Sequence, residues 1–257
     1  MILTKRVALG GQQLDELHDA IVIRSIDPGV PRENISAVDR MGGSGQRITG
    51  SHWETLDVSI TSAIDIPKRQ MTERRAVFDL VNTWANRKGW LTVNWLDNRR
   101  MYVDKVILPG SGDLWDWTNE FTIVFRAYNV PFWMDEAPAQ VAGGIAASSR
   151  VVIPVGGNTG SVLDVSFRNR SNMTINNFWV QANGNRITLS NLGLGGSSTL
   201  NIHHGTDGLL RIEVDGSSVY EKYSGADDLN VNPGSVAVDY AADRAGTLTV
   251  TNYGRWI

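Results

Sequence analysis

Residues 67–108 read PKRQMTERRAVFDLVNTWANRKGWLTVNWLDNRRMYVDKVIL, and this stretch decides the fold. Between Met71 and Ala85 the apolar side chains Val77, Leu80, Val81 and Trp84 recur at helical spacing, with Phe78 on the flank. Glu73, Arg74, Arg75, Asp79, Asn82 and Asn86 fill most of the other positions, as expected of an amphipathic helix. Thr72 is placed to cap its start and Gly89 to stop it, with Arg87 and Lys88 near the negative end of its dipole. After Gly89 the period changes to two. Leu91, Val93 and Trp95 alternate with Thr92 and Asn94, and Asp97-Asn98-Arg99 makes a polar turn. Met101 to Leu108 then returns as a second strand. No other stretch reads as a long helix, so this one is expected to cover the open face of a sheet.

Working outward, the rest of the chain reads as strands and turns. Short β-like runs occupy 1–10 and 19–26, and Asp27-Pro28-Gly29 ends the second with turn chemistry. From Pro31 to Gly50 the chain is polar and glycine-rich, with Arg40, Met41, Gly42, Gly43, Ser44, Gly45, Gln46 and Arg47 at its centre. A glycine-rich loop that enters a helix can cradle phosphate, but a strand follows here and no Lys-Ser/Thr ending is present. The segment reads as a long loop or hairpin tip serving an interface, with Gly42–Arg47 mobile in isolation and ordered by neighbours. Residues 53–64 form a strand with Leu56, Val58, Ile60 and Ile64 on one face, and Phe121, Ile123 and Phe125 mark another.

Residues 135–149 are small and polar and read as a linker between a domain at 1–134 and one at 150–257. The second domain is expected to be all-β, with strands near 150–155, 161–168, 173–181, 185–190, 198–203, 208–214, 217–223 and 235–241, and a last near 246–252. Asn183-Gly184 and Asp215-Gly216 suit tight hairpin turns.

Composition narrows the chemistry. The 257 residues carry a formal net charge of −3, which argues against a protein that coats nucleic acid. There is no Cys, hence no disulfide, thiolate metal site or cysteine nucleophile. The N-terminus lacks the apolar core of a signal peptide and no run approaches a membrane span, so synthesis in a cytoplasm and no membrane partner are expected. Among four His, the pair His203-His204 with Asp207 nearby is the one metal candidate, and strand alternation turns the two rings apart. A hydrolase would need Asp164, Glu213 and Asp227 to converge. No Ser sits in a G-x-S-x-G context, so no catalytic set, cofactor or metal is assigned and no enzyme is expected. Trp179 is a candidate platform for a sugar ring, which would make the second domain a carbohydrate-binding module for host cell-wall or capsule glycan.

The run Glu73-Arg74-Arg75-Ala76-Val77-Phe78-Asp79-Leu80, followed by Gly89-Trp90-Leu91-Thr92-Val93 and Arg99-Arg100-Met101-Tyr102-Val103, resembles the N-terminal domain of siphophage distal tail (Dit) proteins. The glycine-rich segment before Trp53, the passage Asp228 to Val236, and the closing Gly246-Thr247-Leu248-Thr249-Val250 with Arg255-Trp256 are similar to that family too. Ser235-Val236 stands where Asn is common in it. The resemblance implies a mainly β protein with one long helix: a helix-packed β-sandwich or split-barrel domain of tail-tube type, then a galectin-like β-sandwich. It implies a structural virion protein of the phage tail tip, a homo-hexameric ring joining the tail tube protein above to a hub or tail-associated protein below. The ring would leave a channel for DNA and offer a site for a receptor-binding protein, with residues 40–47 as its interface loop.

Overall fold

The structure, a computed structural model, describes residues 5–39, 46–67, 69–109 and 120–257. It is mainly β, with a single α-helix among the described residues. The chain divides into two compact units, Met1–Trp133 and Met134–Ile257.

The first unit runs β1 (Val7–Leu9), β2 (Gln12–Gln13), β3 (Ile21–Asp27), β4 (Glu33–Asp39), β5 (Gln46–Trp53), β6 (Leu56–Ile64), α1 (Met71–Ala85), β7 (Gly89–Val93), β8 (Arg99–Val103), β9 (Lys105–Ile107) and β10 (Glu120–Ala127). The strands pair as β2-β1-β7-β8, as β3-β6-β10-β9, and as an isolated ribbon β4-β5. On β6 the period-two pattern is strict: Leu56, Val58 and Ile60 are buried, and they oppose Ala127, Phe125 and Ile123 of β10. Helix α1 lies on that apolar face. The Phe78 ring meets Phe121 edge-on at 5.7 Å, and Trp84 meets Phe125 at 5.9 Å.

The helix's buried stripe is Arg74, Val77, Phe78, Val81, Trp84 and Ala85. Phe78 therefore belongs to it, whereas Leu80, expected inside, is 48% exposed and Arg74, expected outside, is 1% exposed. At about 100° per residue, Leu80 stands well round from Val81 at the stripe's centre. The ends differ from expectation as well. The helix starts at Met71 behind Gln70, with no side-chain cap, so Thr72 is already inside it. It closes through Asn86 N–H to the Asn82 carbonyl, and Gly89 opens β7 instead of stopping the helix. Arg87 donates to the Leu9 carbonyl at 2.8 Å and Gln12 Oε1 at 3.0 Å, clamping the β1–β2 turn.

The stretch from Met101 to Leu108 is two strands. β8 pairs with β7 in one sheet and β9 pairs with β10 in the other. Asp104 makes the crossing: its carboxylate accepts from Tyr128 N–H at 2.7 Å, Asn129 N–H at 3.1 Å and Asn129 Nδ2 at 2.9 Å. Trp95 lies beyond the end of β7 and is 43% exposed.

After β11 (Trp133–Asp135), at the division, the second unit comprises β12 (Ala139–Ala142), β13 (Ala146–Val155), β14 (Ser161–Asn169), β15 (Phe178–Ala182), β16 (Asn185–Leu189), β17 (Thr199–His204), β18 (Leu210–Val214), β19 (Ser217–Ser218), β20 (Tyr223–Gly225), β21 (Asn230–Val231), β22 (Gly234–Asn252) and β23 (Arg255–Trp256). The segment 135–149, read as a linker, is mostly strand, because β12 and the start of β13 both pair with β22. The strands expected at 235–241 and 246–252 are one, the 19-residue β22. Its first half runs between β13 and β15 and its second between β12 and β14, so one strand serves both layers of a sandwich. Gly246 sits at the changeover, where a Cβ would come 2.2 Å from Phe167 Cζ and 2.6 Å from the Arg168 carbonyl. Phe167, Phe178 and Tyr240 pack together inside. Both hairpin turns have the anticipated geometry, with positive φ at Asn183 (48°), Gly184 (84°), Asp215 (47°) and Gly216 (84°).

Candidate functional site

Three surfaces stand out, two in the first unit and one in the second. The first is the β4-β5 ribbon. The segment expected as a long loop or hairpin tip is, in its described part, two paired strands, running from Glu33 opposite Trp53 to Asp39 opposite Gln46. Arg40, Met41, Gly42, Gly43, Ser44 and Gly45 lie outside the described residues, while Gln46 and Arg47 open β5. The β-branched Ile35, Val38, Ile48 and Thr49 favour this pairing, a signal outweighed in the sequence by the glycines between them. Ile35, Val38 and Ile48 are 49%, 51% and 63% exposed. Ala37 opposes Ile48, and Val38 opposes Arg47 on the other face, so apolar side chains stand on both faces. A lone two-stranded ribbon is marginal in water, and one that exposes isoleucines gains stability by being covered.

The second surface is the face of β3-β6-β10-β9 turned away from α1. Along β6 it presents Asp57, Ser59 and Thr61, opposed on β10 by Arg126, Val124 and Thr122. Thr61 and Thr122 share a hydroxyl hydrogen bond at 3.0 Å. Arg126 grips Asp57 through two bonds, Nε to Oδ1 at 2.6 Å and Nη2 to Oδ2 at 2.5 Å. That bidentate pairing holds the guanidinium above its ordinary pKa. Arg24 approaches Glu120 at 4.0 Å. The face thus carries hydroxyls and opposed charges around the apolar pair Val124 and Ile107, with Lys105 beside Arg126. Neither β3 nor β9 has a second strand partner among the described residues.

The third surface is the outer face of β14, β17, β18 and the second half of β22. Asp164 and Ser166 alternate with core residues on β14, Asn201 and His203 do so on β17, and Glu213 opposes Asn201 from β18. His203 turns toward β18, with Nε2 at 3.5 Å from Glu213 Oε2, and His204 turns toward β14, with Nδ1 at 3.1 Å from Asp164 Oδ1. The two rings turn to different carboxylates, and no His, Asp and Glu trio able to hold a metal occurs among the described residues. Asp227 is engaged elsewhere, by the Tyr223 hydroxyl at 3.4 Å. Trp179 lies on the outer face of the other layer, where the Arg186 guanidinium stacks on its ring at 4.1 Å.

Among the described residues, no helix is long and apolar enough to cross a membrane. No protein-family model matches the chain, and no curated protein matches it in sequence. Solved structures do. The phage SPP1 Dit protein (gp 19.1), described as a paradigm of the hub adsorption apparatus in phages infecting Gram-positive hosts, superposes with a TM-score of 0.67. The alignment covers 98% of this chain and 99% of that one at 14% identity. A chain of the phage P2 baseplate in its activated conformation matches at a TM-score of 0.47 and 5% identity, and that weaker likeness carries no argument. At such identities the likeness is one of fold: this chain has the Dit fold over nearly its whole length.

Proposed function

We propose that the chain is a structural component of a phage tail tip, a distal tail protein made in the bacterial cytoplasm and built into the virion. Six copies close into a ring that joins the tail tube to the baseplate or fibre hub, and DNA passes through the opening. The observation that carries this reading is the sheet β3-β6-β10-β9. One face is covered by α1, the other carries hydroxyls and opposed charges around Val124 and Ile107, and neither edge strand has a further partner among the described residues. Pairing the β3 edge of one copy with the β9 edge of the next is a heterologous contact, which closes by rotation into a barrel without edges. A lining whose arginines are engaged by carboxylates releases few counterions to DNA, so the polymer slides without sticking. The β4-β5 ribbon, with Gln46 and Arg47 at its described tip, is the interface arm of this scheme, its exposed isoleucines covered by a neighbouring copy. The full-length Dit fold agrees with this role. The reading assigns no catalysis.

Because the chain has no Cys, cross-linking tests the ring against a silent background. Single cysteines along Val22–Asp27 are combined with single cysteines along Lys105–Ile107 and oxidised. The ring predicts a ladder of covalent species ending at six for at least one combination. Products that never exceed a dimer refute the β3-to-β9 closure.

A further inference from the structure

The polar face of the second unit contains a groove of about 280 Å³, lined by Asp164, Val165, Ser166, Asn201, His203 and Thr251. Its position follows from register. Asp164 opposes Thr251 across the β14–β22 ladder, and Ser166 opposes Asn201 across the β14–β17 ladder. Three strands thereby hold one row of polar side chains on a rigid base whose other side is the packed core.

The groove's hydrogen-bonding capacity is largely unspent. The side chains of Ser166, Asn201 and Thr251 make no hydrogen bond to any described residue, although each is half-buried. Together they offer two hydroxyls and an amide, able to donate and accept at fixed positions. Asp164 is oriented from behind, its Oδ1 accepting from His204 N–H at 3.0 Å and facing His204 Nδ1 at 3.1 Å. Glu213 similarly steadies His203. Holding planar carboxylate and imidazole groups in place lowers the ordering cost of a ligand that bonds to them.

We infer that this groove binds a neutral, polyhydroxylated ligand, a hexose or N-acetylhexosamine unit of a glycan. Vicinal hydroxyls match the donor-and-acceptor row, whereas the Asp164 and Glu213 carboxylates disfavour phosphate, sulfate or uronate groups. Val165 is the one apolar residue of the six in the lining, too little to hold a lipid tail or hydrophobic peptide. The site is separate from the Trp179 surface, since β14 and β15 turn their inner faces to the same core and their outer faces to opposite sides. It lies wholly within the second unit and does not depend on ring formation.

The test uses the full chain on an array of immobilised neutral oligosaccharides of glucose, galactose, mannose, rhamnose, N-acetylglucosamine and N-acetylgalactosamine, with sialylated and phosphorylated counterparts. Retention on at least one neutral glycan is expected. Asn201→Ala and Thr251→Val should each weaken it about tenfold or more, as loss of one hydrogen bond to a bound ligand does, with thermal melting unchanged. Trp179→Ala should leave it intact. Three results overturn the inference: no neutral glycan retained, retention equal in both groove variants, or anionic glycans held more tightly than neutral ones. Retention lost in Trp179→Ala but kept in the groove variants moves the sugar site to the other layer and refutes this one.

Discussion

Replacing Trp84 by Ala tests the packing that holds the first unit together. The indole is 3% exposed, packs edge-on against Phe125 and donates from Nε1 to the Gln12 carbonyl at 2.9 Å. Truncating a buried Trp costs about 3–5 kcal/mol through lost burial and the cavity left behind. The orphaned Gln12 carbonyl adds about 1 kcal/mol where water cannot reach it. The expected loss is therefore about 4–6 kcal/mol, a large share of a domain's stability. Trp84→Phe keeps most of the ring and loses the N–H, and should cost about 1–2 kcal/mol. Leu80→Ala, on the exposed side of the same helix, should stay within about 0.5 kcal/mol. Urea unfolding followed by far-ultraviolet circular dichroism measures all three, fitted with separate transitions for the two units if they separate. A Trp84→Ala loss below about 1 kcal/mol, or a Leu80→Ala loss of comparable size, would refute this account of the core.

Other consequences are as specific. Gly246→Ala should destabilise the second unit by several kcal/mol, because its Cβ meets Phe167 and the Arg168 carbonyl, while Gly184→Asn, at a positive φ with open space around it, should be nearly neutral; thermal melts distinguish them. Asp215 is held below its usual carboxylate pKa by the Thr199 N–H and then the Ser198 hydroxyl, and Asp207 by the Leu209 N–H and then Arg211. A folded-state pKa below the unfolded one gives stability that is full above about pH 4 and lost as pH falls through the folded pKa. Acid titration of the second unit should show that loss, and Asp215→Asn, which tolerates the same φ, should remove part of it. If the ribbon is the interface arm, Ile35→Asp with Ile48→Asp should abolish assembly by light scattering and leave the circular dichroism spectrum unchanged.

The elements most visible in the sequence are those governed by local chemistry. The period-two runs at Leu56 to Ile60 and Phe121 to Phe125, the helix over Met71–Ala85 and the Asn-Gly and Asp-Gly turns follow from side-chain alternation and positive φ. What stayed hidden depends on partners distant in the chain. Nothing local marks Asp104 as the point where the chain leaves one sheet for another, since its ligands are the amides of Tyr128 and Asn129. β22 reads as two strands because Asp243 to Gly246 look like a turn, yet β13, β15, β14 and β12 take up its hydrogen bonds in succession. Arg74 looks solvated by residue type and is buried by its place on the helix. The groove residues Ser166, Asn201 and Thr251 are ordinary polar strand positions until two ladders bring them side by side.

The central claim is the closed ring, and the most direct measurement is the solution mass of the purified protein by light scattering, with negative-stain images of the same peak. The account predicts a mass about six times the 28.2 kDa chain, with six-fold rings around a central hole. A species that remains monomeric at the highest attainable concentration, or open filaments in place of rings, would contradict it.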